Sequence, residues 1–116
     1  MRYRRQRVED VLREEISSIL FKDLKDPGLG FVTILEVKVT EDLRLAKVYF
    51  SCYGDAEVRE RTIQTLKKSR RFVKFLVGQR VKLKYTPDID FFYDDRLERL
   101  ERIEAILKKD AHVPND

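Results

Sequence analysis

A two-layer α+β domain, with helices on one face of a three-stranded sheet, is the fold this sequence predicts. Three observations lead to it. Apolar and polar residues alternate over Phe31–Thr40, over Ala46–Cys52 and again from Val81, the period of half-buried strands. A long helical period lies between the second and third of these runs, the place of the crossover in a β-α-β unit. Two more helical periods, one near each end, supply the rest of the covering layer. The resulting order is α-β-β-α-(kink)-α-β-α. A right-handed crossover makes the third strand parallel to the second, and its neighbour in the sheet is left open.

A chain of 116 residues fits one domain with one core. We expect that domain over residues 1–108 and a disordered tail over 109–116. The first six residues are basic, with Arg2, Arg4 and Arg5, and Arg7 stands at the start of the first helix. They read either as a phosphate-seeking arm or as a solvated, frayed terminus. Val8, Val11, Leu12, Ile16, Ile19 and Leu20 then repeat at helical spacing against Glu9, Asp10, Arg13, Glu14 and Glu15, an amphipathic helix. Pro27-Gly28 and Gly30 punctuate a loop. In the first strand Phe31, Thr33, Leu35, Val37 and Val39 fall on one face. In the second, Ala46, Val48, Phe50 and Cys52 do, and the two make an antiparallel hairpin. After the central helix Val81, Leu83 and Tyr85 alternate with Lys82 and Lys84, so the third strand is expected there. Pro87 marks an edge, a bulge or the end of it, and Ile89, Phe91 and Tyr93 resume the alternation. Asp94 or Asp95 caps a last helix with Leu97, Leu100, Ile103 and Leu107 on its apolar side.

The central helix carries the main difficulty. Asp55 is placed to cap it, and Val58, Thr62, Ile63 and Leu66 share one face. Phe75 lies nearly opposite that face at 100° per residue. Either a phenylalanine stands in water as a functional ring, or the helix kinks near Ser69, Arg70 and Arg71 and turns Phe72, Phe75 and Leu76 inward. The kink is the expectation, although no proline or glycine supplies a local cause.

The chemistry of the chain points to binding rather than catalysis. Its single cysteine and single histidine exclude an intrachain disulfide and a His/Cys metal cluster. Cys52 falls on an apolar strand face, as a small buried hydrophobe does. Asp88, Asp90, Asp94 and Asp95 are better placed for strand-face and capping roles than for a metal. No phosphate loop, dinucleotide fingerprint or nucleophile elbow is found, so neither a cofactor nor an enzyme is expected. No apolar run approaches the ~18 residues of a membrane span, which leads us to expect a soluble, cytoplasmic protein. The net charge is +4 with a pI near 9.2, which permits nucleic-acid binding. Lys67, Lys68, Arg70, Arg71 and Lys74 cluster in the central helix, and Arg80, Lys82 and Lys84 continue the positive run. Such a stripe reads either as a row of phosphate contacts or as a solvated face balancing acidic helices.

Several segments carry a more specific signal. They are Leu24-Lys25-Asp26-Pro27-Gly28-Leu29-Gly30-Phe31-Val32-Thr33-Ile34, Val37 through Thr40, and Asp42-Leu43-Arg44-Leu45-Ala46-Lys47-Val48-Tyr49. Leu83-Lys84-Tyr85-Thr86-Pro87, Phe91 through Asp95, and Arg102-Ile103 follow. In this order and spacing the chain resembles the bacterial ribosome-binding factor A family from Arg4 to about Leu107. The resemblance implies a KH-like fold of the second type. It further implies a non-enzymatic, monomeric factor that binds free 30S small ribosomal subunits late in assembly. Such a factor supports processing and folding of 16S rRNA near its 5′-terminal helix. The family's helix-kink-helix carries Ala-x-Gly, which aligns with Ser69-Arg70-Arg71, so serine replaces the alanine and arginine the glycine. On this reading Lys67, Lys68, Arg70, Arg71 and Lys74 are the main RNA contacts. Arg80, Lys82 and Lys84 are secondary, and Arg2, Arg4, Arg5 and Arg7 are auxiliary. A generic RNA-binding KH-like module and a protein-interaction module using the strands or last helix are the alternatives.

Overall fold

The computed structural model describes residues 2–111. Among them the helices and strands are α1 (Arg2–Ser18), β1 (Phe31–Val39), β2 (Leu45–Tyr53), α2 (Ala56–Lys68), α3 (Arg70–Arg80), β3 (Asp88–Tyr93) and α4 (Arg96–Ala111). The sheet order is β1-β2-β3, with β1 antiparallel and β3 parallel to the central β2. This is the expected α+β architecture. Four details differ from the expectation, each for a local physical reason.

The first concerns the basic N-terminus, which is the opening of α1 rather than an arm. No proline or glycine interrupts residues 2–18, and the row through Val8, Leu12 and Ile16 gives the helix one face to bury. A single π turn, Ile19–Asp23, ends it, with the Leu24 N–H donating to Ile19 O at 2.9 Å. Ile19 and Leu20 stay buried while Phe21 turns outward.

The second lies in β1. Its register against β2 shifts between Ile34 and Glu36, so Leu35 is the extra residue of a β-bulge. Past the bulge Val37 and Val39 point into the core; before it Val32 and Ile34 do, while Phe31 is 80% exposed. The single face expected from Phe31 to Val39 is therefore divided, because one inserted residue exchanges the two sides of a strand.

The third is the position of β3, which is Asp88–Tyr93 and not Val81–Tyr85. Pro87 lacks an N–H, so pairing begins just after it, with the Asp88 N–H donating to Arg44 O at 2.8 Å. Residues 81–87 instead run back past α3. The Thr86 hydroxyl oxygen lies 2.9 Å from where a side-chain carbon on Gly78 would sit, so the glycine makes room for this segment.

The core lies between the sheet and α1, α2 and α3. Phe50 on the central strand is fully buried and meets Phe91 and Tyr93 edge-on, with ring centroids 6.3 and 5.8 Å away. Leu12, Ile16, Leu66, Val73 and Val77 cover it from the helices.

The fourth difference is α4, which does not complete this layer. Leu97, Leu100, Ile103 and Leu107 are each about half exposed, and among the described side chains α4 contributes none to the buried core. Its attachment is polar and confined to its first turn. The Tyr93 hydroxyl donates to Glu98, Arg59 pairs with Glu98 at 3.0 Å, and Arg96 reaches Asp94 and Glu36. The helix continues to Ala111, beyond the boundary expected at residue 108, with Lys108 and Lys109 in its last turn, where cations suit the dipole. Residues 112–116, with His112, lie outside the described residues.

Candidate nucleic-acid interface

The candidate interface is built on α2 and α3, so the junction between them comes first. Asp55 caps α2 by accepting from the Val58 N–H at 2.9 Å. The helix breaks at Ser69, whose φ of −90° and ψ of 0° belong to the bridge region. Its N–H is shared between Thr65 O and Leu66 O at 3.1 Å each, and its hydroxyl donates to Thr65 O at 2.8 Å. A serine hydroxyl bonding back to the carbonyl four residues earlier bends a helix. Ser69 therefore supplies the local cause that neither proline nor glycine provides. Helical bonding resumes at once, with the Val73 N–H donating to Ser69 O at 2.9 Å.

The bend does not turn the phenylalanines inward. Val73 and Val77 take the buried positions of α3, while Phe72 and Phe75 are 44% and 59% exposed. β3 lies beneath α3, with Ile89 and Phe91 buried under Val73 and Val77.

The positive stripe divides into two sets. Arg70, Lys74 and Arg80 are engaged within the fold. Arg70 meets Asp90 at 3.4 Å and Lys74 meets Asp88 at 2.8 Å, tying α3 to β3. Arg80 donates two bonds to Asp23, at 2.7 and 3.0 Å, and lies 3.6 Å from Glu15. Its hydrogen bonds hold the Asp23 carboxyl below the usual carboxylate range; Lys74 does the same to Asp88. Lys67, Lys68 and Arg71, around the bend, are exposed and have no acidic partner among the described residues. Lys82 and Lys84 are likewise exposed, and the Lys84 ammonium sits 5.6 Å from the Tyr85 ring centroid.

The N-terminal arginines are also divided. Arg4 and Arg7 share an open groove of about 690 Å³ with Val8, Val11, Val81, Lys82 and Leu83. The segment after α3 thus meets the start of α1, and Lys82 joins these arginines. Arg5 faces a different groove with Glu9, Asp10, Arg13 and Glu36. Arg2 opens α1. Two cationic groups therefore stand near the two ends of α3, about 15 Å apart by its eleven residues. Periodicity alone does not separate engaged from unengaged cations, because Asp88, Asp90 and Asp23 come from distant parts of the chain.

The Asp26–Gly30 loop, the most distinctive motif of the sequence, is built into the packing. The Gly30 N–H donates to the Thr62 hydroxyl at 3.0 Å, and the Thr65 hydroxyl oxygen lies 2.5 Å from where a side-chain carbon on Gly28 would sit. The loop rests on α2, the helix that packs over β2 and β3.

Comparison with known proteins agrees with this architecture. A family model described as ribosome-binding factor A matches residues 4–107. A ribosome-binding factor A from Halothermothrix orenii is 45% identical over 108 residues, covering 93% of this chain and 88% of that one. A solution structure of a putative ribosome binding factor A from Thermotoga maritima superposes with a TM-score of 0.69 at 30% identity, covering 78% of this chain and 86% of that one. A Thermus thermophilus ribosome binding factor A homology model, fitted into a cryo-EM map of a 30S complex, shares the fold with a TM-score of 0.58 at 22% identity, over 79% and 92% of the two chains. With a family match spanning nearly its whole length and a relative this similar, the chain belongs to the ribosome-binding factor A family.

Proposed function

We propose that this protein is a ribosome assembly factor that binds free 30S subunits and assists late 30S maturation. In this reading it supports 16S rRNA processing near the 5′-terminal helix, acts as a monomer in the cytoplasm, and catalyses no reaction itself. Membership of a family named for ribosome binding supports the partner class. The observation that carries the mode of binding is the group Lys67, Lys68 and Arg71, exposed at a helix bend with no acidic partner among the described residues. Charges held by no carboxylate within the fold are available to phosphates, and each phosphate they neutralise releases counterions. Arg70, Lys74 and Arg80 play a supporting part, since each already holds a carboxylate. Arg4, Arg7, Lys82 and Lys84 form a second contact region.

The test is co-sedimentation with purified ribosomal particles across a salt series. Wild type should pellet with free small subunits, lose affinity as salt rises, and ignore joined ribosomes. The K67E/K68E/R71E variant should bind at least tenfold more weakly. Its slope of log affinity against log salt should fall by roughly 0.7–0.9 for each phosphate that is no longer neutralised. Equal pelleting with every RNA-containing particle would reduce the reading to a general RNA binder. An unchanged affinity in the variant would remove these residues from the interface.

A further inference from the structure

Phe72 and Phe75 stand in solvent on α3, 44% and 59% exposed. Exposing a large ring forgoes its hydrophobic stabilisation, so two such rings within one helical turn are not explained by the fold. On α3 itself Arg71 stands four residues before Phe75, and Lys68 ends α2 just ahead of the bend, on the approach to Phe72. Residues four apart within one helix share a face, so Arg71 and Phe75 do. Both cations are exposed and without an acidic partner among the described residues. On the open face of the sheet, by contrast, Tyr49 and Phe92 already stack on each other with centroids 5.6 Å apart. The α3 rings have no aromatic partner among the described residues.

Aromatic rings interleaved with unengaged cations complement one kind of partner closely. Every nucleobase offers a π-face and every nucleotide a phosphate, so a single strand satisfies both groups at once. A duplex offers the phosphates but keeps its base faces covered. We propose that Phe72 and Phe75 stack on unpaired bases of RNA whose phosphates lie against Lys68 and Arg71. The proposal rests on the reading of this protein as a binder of ribosomal RNA, and it specifies a single-stranded segment as what α3 holds. Recognition through the rings tolerates sequence differences, while the cations set the salt dependence.

The test uses the full-length protein, a ~10-nucleotide single-stranded RNA carrying 2-aminopurine, and the same RNA annealed to its complement. Wild type should prefer the single strand and change the 2-aminopurine fluorescence on binding. The F72L/F75L variant keeps an apolar side chain at each exposed position, and its unfolding midpoint should match wild type. It should bind the single strand roughly tenfold more weakly per ring, with an unchanged salt slope and no fluorescence change. If wild type binds neither RNA nor small subunits, the RNA-binding reading falls and this proposal with it. If wild type binds RNA in a salt-dependent way but F72L/F75L binds the single strand equally well, stacking is overturned while the RNA-binding reading stands. A variant that loses small subunits yet keeps the oligonucleotide would assign the rings to a protein contact, which also overturns the proposal.

Discussion

Gly30 has no room for a side chain. A carbon there would lie 2.9 Å from the Thr62 hydroxyl oxygen, 3.0 Å from Val58 and 3.2 Å from the Cys52 sulfur. These neighbours belong to β2 and α2 inside the core, so they yield little. Gly30→Ala is expected to lower stability by about 1–3 kcal/mol, the usual cost of overpacking, read as a fall in the urea midpoint at constant slope. A midpoint equal to wild type would show that the loop moves aside freely. In the sequence Gly30 is legible as a break, because it closes the Pro27-Gly28 loop just before the alternating run begins. Its role as the space for Thr62 is not legible, since the two residues meet only in the folded chain. Ser69 is the opposite case. Its hydroxyl acts on a carbonyl four residues away, so the cause of the bend is local. Serine bends a helix only in the rotamer that bonds backward, so its identity alone is a weaker signal than proline or glycine.

At the scale of elements, the clearest device is the clasp between α3 and the π turn that ends α1. Arg80 grips Asp23 with two hydrogen bonds and holds its carboxyl below the usual range. A carboxylate whose folded pKa is depressed contributes stability that is fully present above its unfolded value, about 3.9. That contribution is lost as pH falls through the lower folded value. Asp88 is linked to Lys74 in the same sense. Arg80→Gln should therefore weaken the acid dependence. The denaturation midpoint of wild type should drop more between pH 7 and about pH 3 than that of the variant. An equal drop in both proteins would show that the clasp does not contribute. This element pairing also shows the limit of periodicity. Helix faces and strand alternation identify α1, α2 and β2, because each buries one continuous side; α3 is legible as a helix, but its buried side runs through Val73 and Val77 rather than Phe72 and Phe75. The bulge at Leu35 and the start of β3 escape the same rule, because one depends on a partner strand and the other on a proline with two opposite readings.

For the whole molecule, the fold closes without α4. The sheet and three helices are legible because their apolar residues meet in a single core. The stripe on α4 follows the same rule and is not part of that core. Leu100, Ile103, Ile106 and Leu107 are all more than half exposed, and the molecule measures 66 × 37 × 19 Å, an elongated shape for its length. Helical spacing identifies an apolar face without saying whether anything within the same chain covers it. The attachments of α4 lie at Arg96 and Glu98, so a chain ending at Arg99 keeps both of them and the Arg59–Glu98–Tyr93 group. Such a chain is expected to unfold in one cooperative transition, with its midpoint within about 5 °C of the full-length protein, which corresponds to roughly 1 kcal/mol for a domain of this size. A larger fall, or loss of cooperativity, would mean that the stripe stabilises the domain through contacts formed in solution. A small one would mean that the distal half of α4 presents its apolar residues at no benefit to the fold.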